Sequence, residues 1–194
     1  MRFYTIRDTA KKIMMWLNQF KNPLFLSLIV MLVLAVITDL SARKIPNSLV
    51  LFGLIASLLG QCFSIQGAGG LNWLAGVAVA FACFVPLYIL RGMAAGDVKL
   101  MMAVGGFLGY PLTVTAVAYS YLAGGAIAIC FVLIKGRFKQ LIQNLISLIF
   151  DRFIKTTSGV DAYDGKVIKQ SVGQLPFALA IALGTFVTLY SVVK

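Results

Sequence analysis

Asp39 and Asp97 are the residues whose type and setting could do chemistry in this 194-residue chain. Each stands where an apolar run meets a short polar turn. Asp39 closes "PLFLSLIVMLVLAVITD" and leads into Arg43, Lys44, Pro46 and Asn47, and Asp97 opens the apolar run that follows "RGMAAG". A carboxylate at the edge of a membrane-crossing segment is costly to hold and by default marks function. Two of them at one face can divide the work of amide hydrolysis: one activates a water, and the other gives a proton to the scissile carbonyl and then to the leaving amine. The rest of the composition leaves few other reactions. There is no His and no Glu, so Ser/His and Cys/His catalysis and imidazole metal sites are excluded. Cys62, Cys83 and Cys130 are scattered through apolar segments, form no CxxC pair, and read as small buried hydrophobes. No metal and no cofactor is expected.

The elements that must position this pair are membrane helices. With 60% hydrophobic and 12% charged residues, the chain lacks the surface of a water-soluble domain. A bilayer core of ~30 Å takes ~20 apolar residues per helical crossing, and several windows here satisfy that without an internal charge. The reading is an all-α, polytopic membrane protein with about six spans, plus amphipathic surface helices. The spans run from about Leu24 to Leu40, Ser48 to Ile65 and Leu71 to Leu90, then two short helices made by splitting Val98 to Ile134 near Gly109–Pro111, and a last one from Leu175 to Val193. Pro46 disfavours helix at Ile45, and Asn47 or Ser48 can cap the second span. Residues 1–23 read as an N-terminal interfacial segment ahead of a membrane domain over 24–194. Within that domain, 135–172 form a connector whose "RFKQLIQNLISLIFDRFIK" has the one-sided apolar pattern of a helix lying on the membrane.

The net charge of +11 fits anionic lipid rather than nucleic acid. Six spans place Arg43, Lys44, Arg91, Lys99 and seven cations of the connector on one side, which the positive-inside rule makes cytoplasmic. Both candidate carboxylates then lie at the cytoplasmic face, and both termini lie outside. Asp8, Asp151, Asp161 and Asp164 sit in charged, solvated segments instead. Within the pair, Asp39 lies near the C-terminal end of its helix, among carbonyls without partners, and Asp97 at the start of its own, among free N–H groups. On that ground Asp39 is the acid toward the carbonyl and Asp97 the base that activates water. The small residues Ala94, Ala95 and Gly96 suit close approach of a substrate strand or of another helix.

"TDLSARKIPN" followed some distance on by "GMAAGDVKLMMAVGGFLG" resembles the type IV prepilin peptidases, membrane aspartic proteases of the GxGD group. "GQLPFALAIALG", Gly173 to Gly184, is similar to their last span. The resemblance implies that Asp39 and Asp97 are catalytic, that Gly96 is the motif glycine and Lys99 the basic residue after it, and that Arg43, Pro46 and Asn47 shape the site. Ala94 stands where the pattern has its first glycine. Only six residues separate Leu40 from Asn47, so the paired-cysteine domain of larger members, which accompanies N-methylation of the product, is absent from that loop. The chain therefore resembles the small, peptidase-only members that serve Flp-type tight-adherence pili. Such enzymes lie in the bacterial inner membrane and cut the short, basic, cytoplasmic leader from prepilins and pseudopilins. A reading from another class is a small ion- or proton-coupled transporter or channel with the two aspartates as a cation site. A transporter would carry charges near the midplane and an internal repeat, and the sequence has neither.

Overall fold

The computed structural model of the chain describes residues 22–63, 69–90, 92–134 and 177–193. All its regular structure there is helical: α1 Pro23–Ala42, α2 Asn47–Phe63, α3 Gly69–Ile89, α4 Ala95–Leu108, α5 Tyr110–Ile134 and α6 Phe177–Val193. Three of them, over Pro23–Ala42, Gly69–Ile89 and Tyr110–Phe131, are long and apolar enough to cross a membrane, while α2 and α6 are apolar but shorter. Most of the N-terminal segment and the connector, with its expected surface helix, lie outside the described residues. The helical unit that holds both candidate carboxylates comprises the described residues up to Gly124 together with α6. The described part of a second unit is the end of α5, from Gly125 to Ile134.

Local chemistry explains the boundaries. Asn22 caps α1 through Oδ1, which accepts the Leu24 N–H at 3.1 Å, and Pro23 occupies the first turn, where its missing N–H costs nothing. Arg43 ends α1 in the left-handed region, φ 50°, and its N–H donates to the Asp39 carbonyl at 3.0 Å. The Pro46 carbonyl opens α2 by accepting from Leu49 and Val50. The long run after Asp97 divides at Gly109, where φ is 73°, as the spacing predicts. The second piece is not short, however: α5 has 25 residues. Pro111 falls in its first turn, where proline is tolerated, so nothing breaks the helix before Ile134.

Neighbouring helices run in alternating directions. Gly53 and Gly60 of α2 face Met31 and Leu24 of α1, which sets those two antiparallel. Gly76 of α3 meets Gly105 of α4 backbone to backbone, so closely that a Cβ on either glycine would overlap the other's carbonyl oxygen. The Tyr110 N–H reaches Asn72 at 3.0 Å and the Tyr121 hydroxyl donates to the Cys83 carbonyl at 2.5 Å, so α5 runs parallel to α3. Gly124 and Ser120 of α5 meet Phe177 and Gly184 of α6, which runs the other way. α4 is the innermost helix: Val98, Leu100, Met101, Ala103 and Val104 are all buried. α1 is two-faced, with Leu28, Met31, Leu32, Ala35 and Asp39 inward and Leu26, Val30, Val33, Ile37 and Leu40 outward. The inward spacing is that of one helical stripe, and Asp39 is its last member.

Candidate active site

One end of this unit gathers the last turn of α1, the turn over residues 43–46, and the first turns of α2, α4 and α6. Asp39 and Asp97 are both there, 8% and 5% exposed. A carboxylate reaching out past a helix end to water would be exposed. These two instead face inward.

Each carboxylate is held by a backbone N–H. Asp97 lies in the first turn of α4, two residues deeper than the opening position the sequence gives it, because the helix begins at Ala95. Its Oδ2 accepts the Ala94 N–H at 3.1 Å, the side-chain-to-cap half of a capping box. Asp39 Oδ2 accepts the Ala178 N–H at 3.2 Å, in the first turn of α6. Both acids thus sit where helix N–H groups lack intrahelical partners. Asp39 lies in the last turn of α1, as the sequence places it, but its own carbonyl accepts the Arg43 N–H and its side chain meets the start of another helix.

The surrounding residues divide into those the fold brings together and those it leaves on the rim. Lys99, exposed on α4, donates from Nζ to Asn47 Oδ1 at 3.0 Å, which ties the start of α2 to α4 just beyond Asp97. Asn47 is the first residue of α2 rather than the residue before it. Gly96 lies against Ile45, and a Cβ there would find Ile45 carbons at 3.4 to 3.6 Å, ordinary contact. Ala94 adopts φ −83°, ψ 155°, extended backbone open to any L residue, so alanine fits where the family pattern has glycine. Arg43 and Pro46 are exposed, and their described contributions are backbone groups that end α1 and begin α2.

Sequence reasoning missed the Ala178 N–H, whose partner is 139 residues away. A signal existed: in "QLPFALAIALG" a proline directly precedes an apolar run, which marks a helix start and hence free N–H groups. Two carboxyl groups buried at one end of the unit, each with one oxygen fixed by an amide, have the makings of an acid–base pair acting on one water and one carbonyl. The sequence model of the type IV leader peptidase family matches residues 26–129, from α1 into α5, including both aspartates. No curated protein and no solved structure matches the chain.

Proposed function

The chain belongs to the type IV leader peptidase family, and we propose that it is a membrane aspartic endopeptidase with Asp39 and Asp97 as its catalytic pair. Its substrates are prepilins and pseudopilins of the Flp type, from which it removes the short basic leader just before the hydrophobic helix. The observation that carries this reading is the pairing itself: two aspartates far apart in sequence, buried at one end of the unit and each held by a backbone N–H, both within the family match. Nothing in the fold or in the family match favours the transporter reading.

Hydrolysis by such a pair uses no covalent intermediate. One carboxylate removes a proton from water as the oxygen adds to the scissile carbonyl carbon, and the other carboxyl group gives its proton to the carbonyl oxygen. Collapse of the tetrahedral species breaks the C–N bond: the hydroxyl made from the carbonyl oxygen returns its proton to the second group as the double bond re-forms, and the leaving amine takes one proton from the pair. Because both acids are held in the same way, the choice of Asp39 as acid and Asp97 as base rests on helix position alone. Ala94, Gly96, Lys99, Arg43, Pro46 and Asn47 form the rim that a leader peptide would cross. The product keeps an unmodified amine, since no element for a methyl donor is found in the loop between α1 and α2, where larger members carry their extra domain.

The alternating helices support six crossings of the bacterial inner membrane, with the active end at the cytoplasm beside anionic lipid. Residues 1–23 and the 135–172 connector are surface segments in that arrangement, the connector cytoplasmic. The test is leader cleavage by purified protein: a Flp-type precursor should be shortened by its leader, and Asp39→Asn or Asp97→Asn should each abolish the shortening. Full activity in either variant ends the reading.

A further inference from the structure

The family match stops at residue 129, yet the backbone group that holds the Asp39 carboxylate comes from α6. That contact is braced on several sides. Phe177, beside Ala178, packs edge-on against Phe84 of α3 with ring centroids 6.1 Å apart and planes at 78°. Phe84 in turn stacks on Tyr121 of α5 at 5.0 Å. Gly124 leaves the space the Phe177 ring occupies, since a Cβ there would overlap Phe177. Gly184, two turns on, lets α6 lie directly on the backbone of α5 at Ser120. Ala178 itself is fully buried, as are Ile181 and Phe84. An aromatic wedge and a glycine contact therefore fix where the Ala178 amide stands, and that amide fixes Asp39 Oδ2.

We infer that α6 is a working part of the active site: the backbone N–H of Ala178 positions the Asp39 carboxylate, and Phe177 positions that N–H. This rests on the proposed proteolysis and adds a requirement to it. A carboxylate at the end of a two-torsion side chain has several rotamers, and catalysis needs the one in which it faces Asp97. With Oδ2 held by Ala178 and Asp97 Oδ2 held by Ala94, the remaining oxygen of each acid is the one left for water and substrate. Ala178 and Phe177 touch neither water nor peptide; they act through Asp39.

The experiment removes one hydrogen-bond donor and nothing else. In the full-length protein, Ala178 is replaced by its α-hydroxy analogue, so that an ester stands where the amide was and the methyl side chain stays. Loss of the bond that fixes the Asp39 carboxyl group is expected to lower kcat roughly ten- to a hundredfold, with KM unchanged to within about twofold. The same ester placed at Ala182, one turn further along α6, should retain kcat. An ester at Ala178 with unchanged kcat, or an equal loss from the ester at Ala182, overturns the inference, the second result because it reduces the effect to a weakened α6. Should the ester protein not accumulate, Ala178→Pro makes the same comparison, since proline also lacks the N–H and is tolerated in a first helical turn. Asp39→Asn run alongside separates the two levels. If it cleaves normally, the protease reading fails; if it is inactive while the ester protein keeps its kcat, only the role of α6 fails.

Discussion

At its start α4 brings Asp97 against Asp39, and at its other end it brings Phe107 and Gly109 against Gln61 and Asn72. Both ends bury polar groups in an apolar protein, but they do so in opposite ways. At the far end the groups are neutral and matched. Gln61 Nε2 donates to the Phe107 carbonyl at 3.1 Å, Asn72 Oδ1 accepts the Tyr110 N–H at 3.0 Å, and the Thr113 hydroxyl donates to the Gly109 carbonyl at 2.6 Å. Trp73 Nε1 reaches Ser57 Oγ at 2.9 Å in the same cluster. These side chains take up the carbonyls and N–H groups that the break at Gly109 releases, the ordinary requirement on backbone in an apolar medium. At the near end two carboxyl groups are buried at the same end of the unit, each held by a single backbone N–H. A buried polar residue in a membrane protein is thus better judged by what faces it than by its burial.

Removing the charges should separate activity from stability more than any other change. Asp39→Asn and Asp97→Asn should each cost at least about a hundredfold in cleavage while the unfolding midpoint in detergent holds or rises. A fall in midpoint as large as the loss of activity would make the pair structural and erase the contrast. The next largest effect belongs to the glycine contact. Gly105→Ala forces a Cβ onto the Gly76 carbonyl and should destabilise by about 1–3 kcal/mol or more in a denaturation series, with cleavage per folded molecule retained. Gln61→Leu leaves the Phe107 carbonyl without its side-chain partner and should cost about 1–2 kcal/mol, again with little effect on kcat. Lys99→Met, at an exposed hydrogen bond, should not measurably move the midpoint. Its place on the rim predicts a change in KM rather than kcat, and a kcat loss approaching that of the aspartate variants would move Lys99 from the rim into the reacting pair.

The near end was legible in the sequence and the far end was not, for a physical reason. A charge interrupting an apolar run is conspicuous on one line of sequence, so Asp39 and Asp97 stand out from residue order alone. The break at Gly109 stands out in the same way, because a 37-residue apolar run from Val98 to Ile134 is too long for one crossing. Gln61, Asn72, Trp73 and Ser57 carry no such mark: each is a neutral residue whose partner lies on another helix, and it matters only once α2, α3 and α4 are packed. Ala178 is the extreme case, an alanine whose contribution is a backbone N–H. Asn47 marks the limit of local rules, since its type suits a helix cap but it stands as the first residue of α2, with its side-chain oxygen accepting from Lys99 of another helix.

The length of α4 carries a consequence for the lipid around it. Its 14 residues measure ~21 Å at ~1.5 Å per residue, against a hydrocarbon thickness of ~30 Å. Its neighbour α1, with 20 residues, matches that thickness at ~30 Å. A helix this short, set across a bilayer, means hydrophobic mismatch, which a bilayer meets by thinning locally or by leaving one end of the helix below its surface. The end that holds Asp97 would then be recessed, and water would have to descend to it. Acyl-chain length becomes a control on the reaction: in vesicles of increasing chain length, cleavage should slow while the same protein in detergent is unchanged. A rate independent of bilayer thickness would place the carboxylates at the membrane surface after all.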